Sequence, residues 1–372
     1  LQEPKIATDT SGNHHIVWWD DRDGGKEVYY KKLNNMGRNL TSDIRLTLTP
    51  PLIGATWPSI AVDKQKNAHV IWVKGFGSGF SNAYVFYKKL NKEGVNITND
   101  IQVDSGQSSS SLPGPDLAVD NNGNVHITWA KSQNGQVALF YKKLNNNGRN
   151  MTSEIQITPY ASNVNRPSIA TDRSGNVHIV WGQNSNSGNA EEIFYKKLGN
   201  NGNGLTQEIQ LTNHPGGGGS EPKIVTDWQM NLHVAWYGSC QAGGYSYSEI
   251  CYIKLDNNGM NLTTEKRLTF DSNQDYYPSL DVDTDGNIHV AWDKSYMQGP
   301  SYTGNSDIHY VKLNNNGINL TSPLQLTTAP RLSEFPSLSV DRLNRVHLIW
   351  QDDLSGSANG YNWQIYYKKT IS

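Results

Sequence analysis

The chain of 372 residues carries 32 Lys and Arg against 34 Asp and Glu, which gives a formal net charge of −2. Its basic residues are spread along the chain instead of forming a patch, which argues against a nucleic-acid partner. No apolar run approaches the roughly 20 residues of a membrane-spanning helix, so we expect no membrane span.

One ten-residue pattern organises the chain from end to end. Its third copy, Asp120 to Trp129, reads D-N-N-G-N-V-H-I-T-W. In every copy a histidine stands three residues before the tryptophan, an aspartate nine before it, and a proline five before the aspartate. The seven tryptophans are Trp18, Trp72, Trp129, Trp181, Trp236, Trp292 and Trp350. A spacing kept through seven copies predicts one repetitive domain over residues 1–372.

Within the third copy, all predicted elements are strands. Residues 115–120 form a short apolar run that ends in the turn signal N-N-G-N, and 125–129 alternate apolar and polar residues. Residues 138–144 and 154–158 follow as two more strands. We name these strands A, B, C and D. Four antiparallel strands per copy, with tryptophans 52 to 58 residues apart, predict an all-β, seven-bladed β-propeller of four-stranded blades.

The last blade is predicted to have three strands. The seventh copy ends in Y-Y-K-K-T-I-S, which is strand C. Only three residues precede Pro4, and they span at most about 10 Å, so they are too short to supply a fourth strand. We therefore expect Ile365–Ile371 to be an open edge that can dock a neighbouring subunit, by self-association, or a segment removed from this chain.

The copy at 167–181, P-S-I-A-T-D-R-S-G-N-V-H-I-V-W, is followed by E-E-I-F-Y-K-K-L at 191–198. It resembles the repeat of sialidase-superfamily propellers, also called BNR or Asp-box proteins. Their usual Asp-box, S-x-D-x-G-x-T-W, is replaced in the C-D turns here by degenerate forms such as N-N-N-G-R-N-M-T at 145–152. The resemblance implies the propeller fold, and the superfamily includes sialidases, other glycan-active enzymes and binding propellers.

The repeated Asp, His and Trp are interpreted as structural. Catalysis needs one asymmetric constellation, whereas these residues stand on seven different blades. A buried histidine bonded to an aspartate, with a tryptophan filling the wedge between blades, accounts for all copies. The second lysine of Y-K-K-L, from Lys32 to Lys369, is expected to cover the next blade with its stem while its ammonium reaches water.

Function is expected on the face formed by the B-C and D-A loops, because these loops differ between copies while the A-B and C-D turns are nearly uniform. Its aromatic side chains and acids suit a sugar or a protein epitope. The ligand-binding candidates are Trp57, Tyr245, Tyr247, Tyr296, Tyr302, Tyr361, Trp363, Asp20, Asp21, Asp293, Asp352, Asp353, Arg22, Arg166 and Arg331. Further loop aromatics are Phe76, Phe80, Tyr160, Tyr237, Tyr276 and Tyr277.

The acids of blades seven and one are predicted to converge where the ring closes. The D-D-R-D-G run at 20–24 lacks the spacing of a calcium loop. We therefore expect no metal and no cofactor.

Two features favour an extracellular or cell-surface location. Cys240 and Cys251 flank one loop of the fifth copy and are predicted to form a disulfide, with two free thiols as the alternative. Five N-x-T sequons occupy the same repeat position, at Asn39, Asn96, Asn150, Asn261 and Asn319, and predict a glycoprotein.

Three functions remain open from the sequence. We favour a secreted binding or structural module with a glycan or protein ligand on the variable face. A sialidase-like hydrolase or a polysaccharide lyase is the alternative; a sialidase-like site would need an arginine cluster and a tyrosine nucleophile activated by a glutamate, and only Arg22, Arg166 and Arg331 lie on that face. A self-assembling surface-layer or filament subunit is the third.

Overall fold

The structure is a computed structural model. It describes residues 2–50, 52–76, 81–106, 114–160, 164–184, 191–214, 218–240, 247–298, 301–328, 331–353 and 363–369. These form seven antiparallel sheets, of which six have four strands and the last has three. The chain is therefore a seven-bladed β-propeller with a three-stranded last blade, as the repeat predicts. Within these ranges no helix has the length and apolar character to cross a membrane.

The strands follow the repeat in chain order. Blades one to three contain β1 Gln2–Thr8, β2 His14–Asp20, β3 Glu27–Leu33 and β4 Ile44–Arg45; β5 Ile53–Val62, β6 Ala68–Phe76, β7 Ser81–Leu90 and β8 Ile101–Gln102; β9 Asp116–Val119, β10 Val125–Gln133, β11 Gln136–Leu144 and β12 Ile155–Gln156. Blades four and five contain β13 Val164–Thr171, β14 Val177–Asn184, β15 Glu191–Leu198 and β16 Ile209–Gln210; β17 Ser220–Thr226, β18 Leu232–Gly238, β19 Glu249–Leu255 and β20 Lys266–Arg267. Blades six and seven contain β21 Gln274–Val282, β22 Ile288–Gln298, β23 Ser301–Leu313 and β24 Leu324–Gln325; β25 Ser333–Val340, β26 Val346–Asp353 and β27 Trp363–Lys369.

The outer D strands are shorter than the sequence predicts. In blade three the predicted strand 154–158 is reduced to Ile155–Gln156. The backbone N–H of Ile157 still donates to the Leu139 carbonyl over 2.7 Å, but the N–H of Leu139 donates to the Thr158 hydroxyl over 2.9 Å. A side-chain oxygen thus replaces the next backbone acceptor, and the regular ladder ends there.

The repeated tryptophans lie between neighbouring blades, as predicted. Trp72 of blade two packs with Val17, Val28 and Tyr30 of blade one. Its ring also stacks on Phe86 of its own blade, with centroids 6.1 Å apart. Large rings at this position fill the wedge that opens between two radially arranged sheets.

The repeated histidines are buried and hydrogen-bonded in all seven blades, which confirms their structural interpretation. Each Nε2 lies 3.1 to 3.5 Å from the aspartate of its own A-B turn. Each Nδ1 lies 2.7 to 2.9 Å from a tyrosine hydroxyl of strand C. Because an ionised aspartate only accepts, a neutral histidine donates from Nε2 and accepts the tyrosine proton at Nδ1.

The prediction for the Y-K-K-L lysines was wrong about their ammonium groups. Lys89 is only 4% exposed. Its Nζ lies 3.6 Å from the Asp63 carboxylate and donates to the backbone carbonyl of Asn146 in the next blade over 3.0 Å. Asn146 Nδ2 in turn donates to Asp63 over 3.1 Å. The ammonium lies between two blades because the Asp63 carboxylate and the Asn146 carbonyl take the place of hydrating water.

Blade seven closes against blade one through side chains instead of a shared strand. The N–H of Glu3 donates to Gln351 Oε1 over 3.0 Å, and that of Ile6 donates to the Ser337 hydroxyl over 3.2 Å. Strand β27 pairs with β26 and forms the outer edge of this sheet.

The predicted disulfide is present in blade five. The Cα atoms of Cys240 and Cys251 are 5.6 Å apart and their sulfurs are bonded. Cys251 lies opposite Trp236 in the strand register, the position where Phe86 and Phe140 stack on the tryptophans of their blades. The bridge therefore occupies the place of an aromatic ring.

Candidate functional site: the axial pocket

The residue before each repeated proline differs from blade to blade. In chain order this position carries Glu3, Trp57, Gly114, Arg166, Glu221, Tyr277 and Phe335. In the six blades where it is not glycine, its φ lies between 40° and 55°, and the A-B pairing shifts register there. A left-handed conformation at a non-glycine residue costs about 1–3 kcal/mol. The same bulge is thus built six times despite its strain.

These seven residues line one pocket of about 210 Å³ where the seven A strands begin. This is the end of the ring from which the B-C and D-A loops emerge. Around the pocket the repeat supplies similar backbone seven times, while the side chains are acidic, basic, aromatic or absent. The pocket is therefore the asymmetric concave site that ligand binding or catalysis requires.

Two carboxylates of the pocket are held by different partners. Trp57 Nε1 donates to Glu3 Oε1 over 2.8 Å. The Nε of Arg166 lies 2.8 Å from Glu221 Oε1. Glu3 Oε2 has no hydrogen-bond partner within the described ranges. One oxygen of Glu3 is thus buried without a hydrogen-bond partner among the described residues.

Aromatic rings of blades six and seven line the pocket between the two glutamates. The rings of Tyr277 and Phe335 are 4.3 Å apart, and the Arg166 guanidinium lies 5.7 Å from the Tyr277 ring centre. The hydroxyl of Tyr237 lies 3.5 Å from Glu221 Oε1. Flat faces beside charged groups are suited to sugar rings, which present apolar faces and polar edges.

Burial changes the acidity of these groups. It raises the pKa of Glu3 and of Glu221, although Arg166 acts in the opposite direction on both. Burial, with the Glu221 charge, also raises the pKa of Tyr237 and Tyr277. Both phenols are therefore neutral at physiological pH and available as hydrogen-bond donors.

A second ring of side chains lies one step deeper, at the residue after each proline. It contains Lys5, Ser59, Asp116, Ser168, Lys223, Ser279 and Ser337. Asp116 accepts from the hydroxyls of Ser59, over 2.9 Å, and Ser168, over 3.1 Å. Burial and the charge of Lys223 lower the pKa of Lys5 to about 8. An anion bound beside these lysines would relieve both effects.

A third glutamate, Glu191, interacts electrostatically with Glu221 and Arg166 of the pocket. Burial raises the pKa of Glu191 to about 7, and the Glu221 charge contributes in the same direction. Hydrogen bonds from Ser220 and Asn165 partly oppose this shift. Glu191 is thus a protonated or readily protonated neighbour of Glu221.

Of the predicted ligand-binding residues, Trp57 and Arg166 line the pocket. Asp293 is buried beside it and accepts from the Phe335 N–H over 3.2 Å; burial and the Glu334 charge raise its pKa well above the ordinary range. These three come together at the axis. The loop aromatics Tyr237 and Tyr277 join them.

The other predicted residues lie elsewhere. The Tyr296 hydroxyl is hydrogen-bonded to His309 Nε2 over 3.3 Å. Asp352 accepts from the Ser333 hydroxyl over 2.5 Å. The guanidinium of Arg331 lies 3.4 Å from the Asp353 carboxylate. Asp20 contacts Arg22, which lies 2.9 Å from Asp43. Asp21 is exposed, Tyr247 is partly buried and Trp363 begins β27. Tyr245, Tyr361 and the side chain of Tyr302 lie outside the described residues.

The sequence interpretation missed Glu3, Glu221, Phe335, Lys5 and Lys223. A signal for them exists in the repeat, because a position that varies directly beside an unvarying proline departs from the pattern around it. In the structure this position lies near the start of strand A, the strand nearest the axis, where the seven blades meet.

Acidic residues of blades seven and one do not form a metal-binding group within the described ranges. The one cluster there of three His, Cys, Asp or Glu side chains joins Cys240, Cys251 and Glu265. Its two sulfurs are bonded to each other, so they cannot act as thiolate ligands.

No family model and no curated protein matches this chain. Solved structures do match its fold. The chain is similar to an ulvan lyase of polysaccharide lyase family PL25, at 10% identity and a TM-score of 0.60, over 98% of this chain and 93% of that one. It is similar to the GH93 α-L-arabinofuranosidase of Fusarium graminearum, at 11% identity and a TM-score of 0.57, over 84% and 92%. It is also similar to the Hadza microbial sialidase Hz136, at 12% identity and a TM-score of 0.53, over 78% and 62%. At these identities the likeness shows the propeller fold alone.

Proposed function

We propose that this protein is a carbohydrate-active enzyme that binds an acidic glycan in the axial pocket and cleaves it. The observation that carries the proposal is that Glu3 and Glu221 line one pocket with Arg166 and an aromatic wall. Enzymes that break a glycosidic bond usually use two carboxyl groups in different environments as the catalytic residues. This reverses the preference that the sequence alone suggested.

The substrate class follows from the walls and the charge of the pocket. Trp57, Tyr277 and Phe335 offer faces for sugar rings. Arg166, Lys5 and Lys223 can pair with a carboxylate or sulfate group of the glycan. Support also comes from the fold neighbours, which include a polysaccharide lyase solved with a -[GlcA(1-4)Rha3S]- saccharide and a sialidase.

The two carboxylates would have different roles. Glu3, with its raised pKa and an oxygen free of partners, is suited to donate a proton to the departing glycosidic oxygen. Glu221 lies 2.8 Å from Arg166, which stabilises its ionised form, and is suited to activate water or attack the sugar. Tyr237 and Tyr277 remain neutral and orient the substrate.

A binding module is the second candidate. It is favoured by the internal contacts of the pocket, in which Arg166 is paired with Glu221 and Trp57 with Glu3. Such a prearranged surface loses little entropy on binding an intact glycan. With either function, the disulfide supports an extracellular site of action.

The test is incubation of the protein with a panel of neutral, uronate-containing, sulfated and sialylated oligosaccharides, followed by mass spectrometry. Shorter products carrying added water indicate a hydrolase, and unsaturated uronates indicate a lyase. Glu3→Gln and Glu221→Gln should each reduce cleavage by about 10²–10⁴-fold, while Glu93→Gln, an exposed control, should not. Binding of intact glycan by the wild type without products would favour the binding module, and no binding at all would reject both.

A further inference from the structure

A second cavity lies at the opposite ends of the A strands. It measures about 440 Å³ and is walled by the last residues of four A strands, Val119, Thr171, Thr226 and Val282. The residues just after the turn aspartates form its rim: Asn121, Arg173, Trp228 and Thr284. The cavity thus spans blades three to six on the face of the A-B turns.

This face is less uniform than the sequence analysis expected. The position after the turn aspartate reads Thr10, Lys64, Asn121, Arg173, Trp228, Thr284 and Arg342 across the seven copies. The aspartate before it is the same in all seven copies, whereas the next position varies as well. The turns of this face therefore present different side chains from blade to blade.

Trp228 is the unusual member of the rim. It does not belong to the repeat and is 51% exposed, whereas the repeat tryptophans of blades two to six are fully buried. The indole Nε1 lies 3.4 Å from the place a Cβ would take at Gly286, so the next blade leaves room for the ring. A large exposed aromatic at the rim of a cavity is a common element of ligand sites.

Polar side chains of blades three and four line the same cavity. Arg173 is exposed, and its guanidinium forms no ion pair with a described carboxylate. Asn121 Nδ2 donates to the Arg173 carbonyl over 3.2 Å, which leaves the Asn121 amide oxygen for other donors. The wall aspartates Asp172, Asp227 and Asp283 each bond a histidine of their own blade at 3.2 to 3.4 Å, and their oxygens are occupied by internal donors.

We propose that this cavity is a second, non-catalytic carbohydrate site that takes one acidic sugar residue of a polysaccharide. Trp228 stacks on the apolar face of the ring, and Arg173 pairs with its carboxylate or sulfate group. The proposal shares the glycan class with the proposed function but does not depend on cleavage at the axial pocket. Two sites on opposite faces would let one protein hold two chains, or two parts of one long chain.

The experiment measures binding in an Arg166→Gln/Glu221→Gln background, which disables the axial pocket. Calorimetric titration with a uronate-containing sulfated hexasaccharide should still show one site. Trp228→Ala should weaken that binding by at least about tenfold, Arg173→Gln should weaken it by several fold, and Trp228→Tyr should retain part of it. Arg342→Gln changes the equivalent arginine of blade seven, outside the cavity, and should leave affinity within about twofold.

If Arg173 pairs with the acidic group of the sugar, a neutral hexasaccharide should bind less tightly than the acidic one. The melting temperature of each variant separates lost contact from lost folding. The proposal is overturned if the background protein binds no glycan, or if Trp228→Ala binds as tightly as its parent. Cleavage by the wild type is measured separately. The proposal for this cavity can therefore be rejected while the proposal for the axial pocket is supported, and the reverse.

Discussion

The indole Nε1 of Trp57 donates to the Glu3 carboxylate over 2.8 Å, and this bond joins blades one and two at the axis of the ring. Both residues hold the same strained conformation before a proline. The bond engages one oxygen of Glu3, and the other has no hydrogen-bond partner in the part of the chain that the structure describes. A proposed catalytic acid is thus oriented by an aromatic residue of the neighbouring blade.

Trp57→Phe should shift the pH dependence of cleavage. The Trp57 hydrogen bond lowers the pKa of Glu3, so its loss should raise that pKa further and keep the acid protonated to higher pH. The alkaline limb of kcat/KM should therefore move upward, while the acid limb, set by the base, stays in place. A pH–rate profile is the measurement; an unchanged alkaline limb would show that Glu3 is not the acid.

Acid should unfold the protein cooperatively. Burial lowers the pKa of the repeated histidines, and the aspartate bonds offset this only in part. The unfolded chain therefore binds more protons once the pH falls below about 6.5. Stability should be full above that pH and fall steadily below it as the pH approaches the folded-state pKa values. Denaturant titrations at a series of pH values test this, and a free energy of unfolding that is constant from about pH 7 to 5 would contradict it.

Reduction of the disulfide should destabilise blade five without abolishing the fold. The bridge closes a loop of sequence separation 11, which corresponds to about 3 kcal/mol in the chain-entropy model. For a chain of this length that equals a loss of about 4 °C in Tm. Differential scanning calorimetry of the Cys240→Ser/Cys251→Ser variant should agree with the reduced wild type. An unchanged Tm in both would refute the estimate.

Glycans, if the chain passes through a glycosylating secretory pathway, should be attached at the five sequons. Asn39, Asn96, Asn150, Asn261 and Asn319 are all exposed in the C-D turns, and in blade four Gly204 takes the equivalent bridge position. Glycopeptide mass spectrometry should find these five sites occupied and the corresponding turn of blade four bare. Unmodified asparagines after secretion from such a host would reject this prediction.

The open edge of blade seven should be able to accept a strand. In blade six the N–H of Ile308 donates to the Thr327 hydroxyl over 2.9 Å, whereas the register-equivalent Ile365 has no such segment beside it within the described residues. We predict concentration-dependent self-association, measured by sedimentation. A peptide of residues 322–328, the D segment of blade six, should compete with it. Ideal monomer behaviour at high concentration, unaffected by the peptide, would count against the edge.

Local patterns of the sequence determined much of this structure. The Asp, His and Trp spacing predicts the blade, its seven copies and the structural role of the histidines, because all of these contacts form within one hairpin or between adjacent blades. The missing fourth strand of blade seven and the Cys240–Cys251 bridge also follow from short stretches. The sequence alone could not predict the hydrogen-bond partner of the Lys89 ammonium, because that partner, Asn146, belongs to the next blade.

The axial pocket was decided by tertiary structure. Glu3, Arg166, Glu221 and Tyr277 stand on four different blades, and each is more than 50 residues from the next along the chain. Only closure of the ring brings one residue per blade to a common axis. No local periodicity records which of the variable positions point there. The bulge before each proline makes that choice, because it turns one side chain per A strand toward the pocket. The same closure places Arg173 and Trp228 together at the other end.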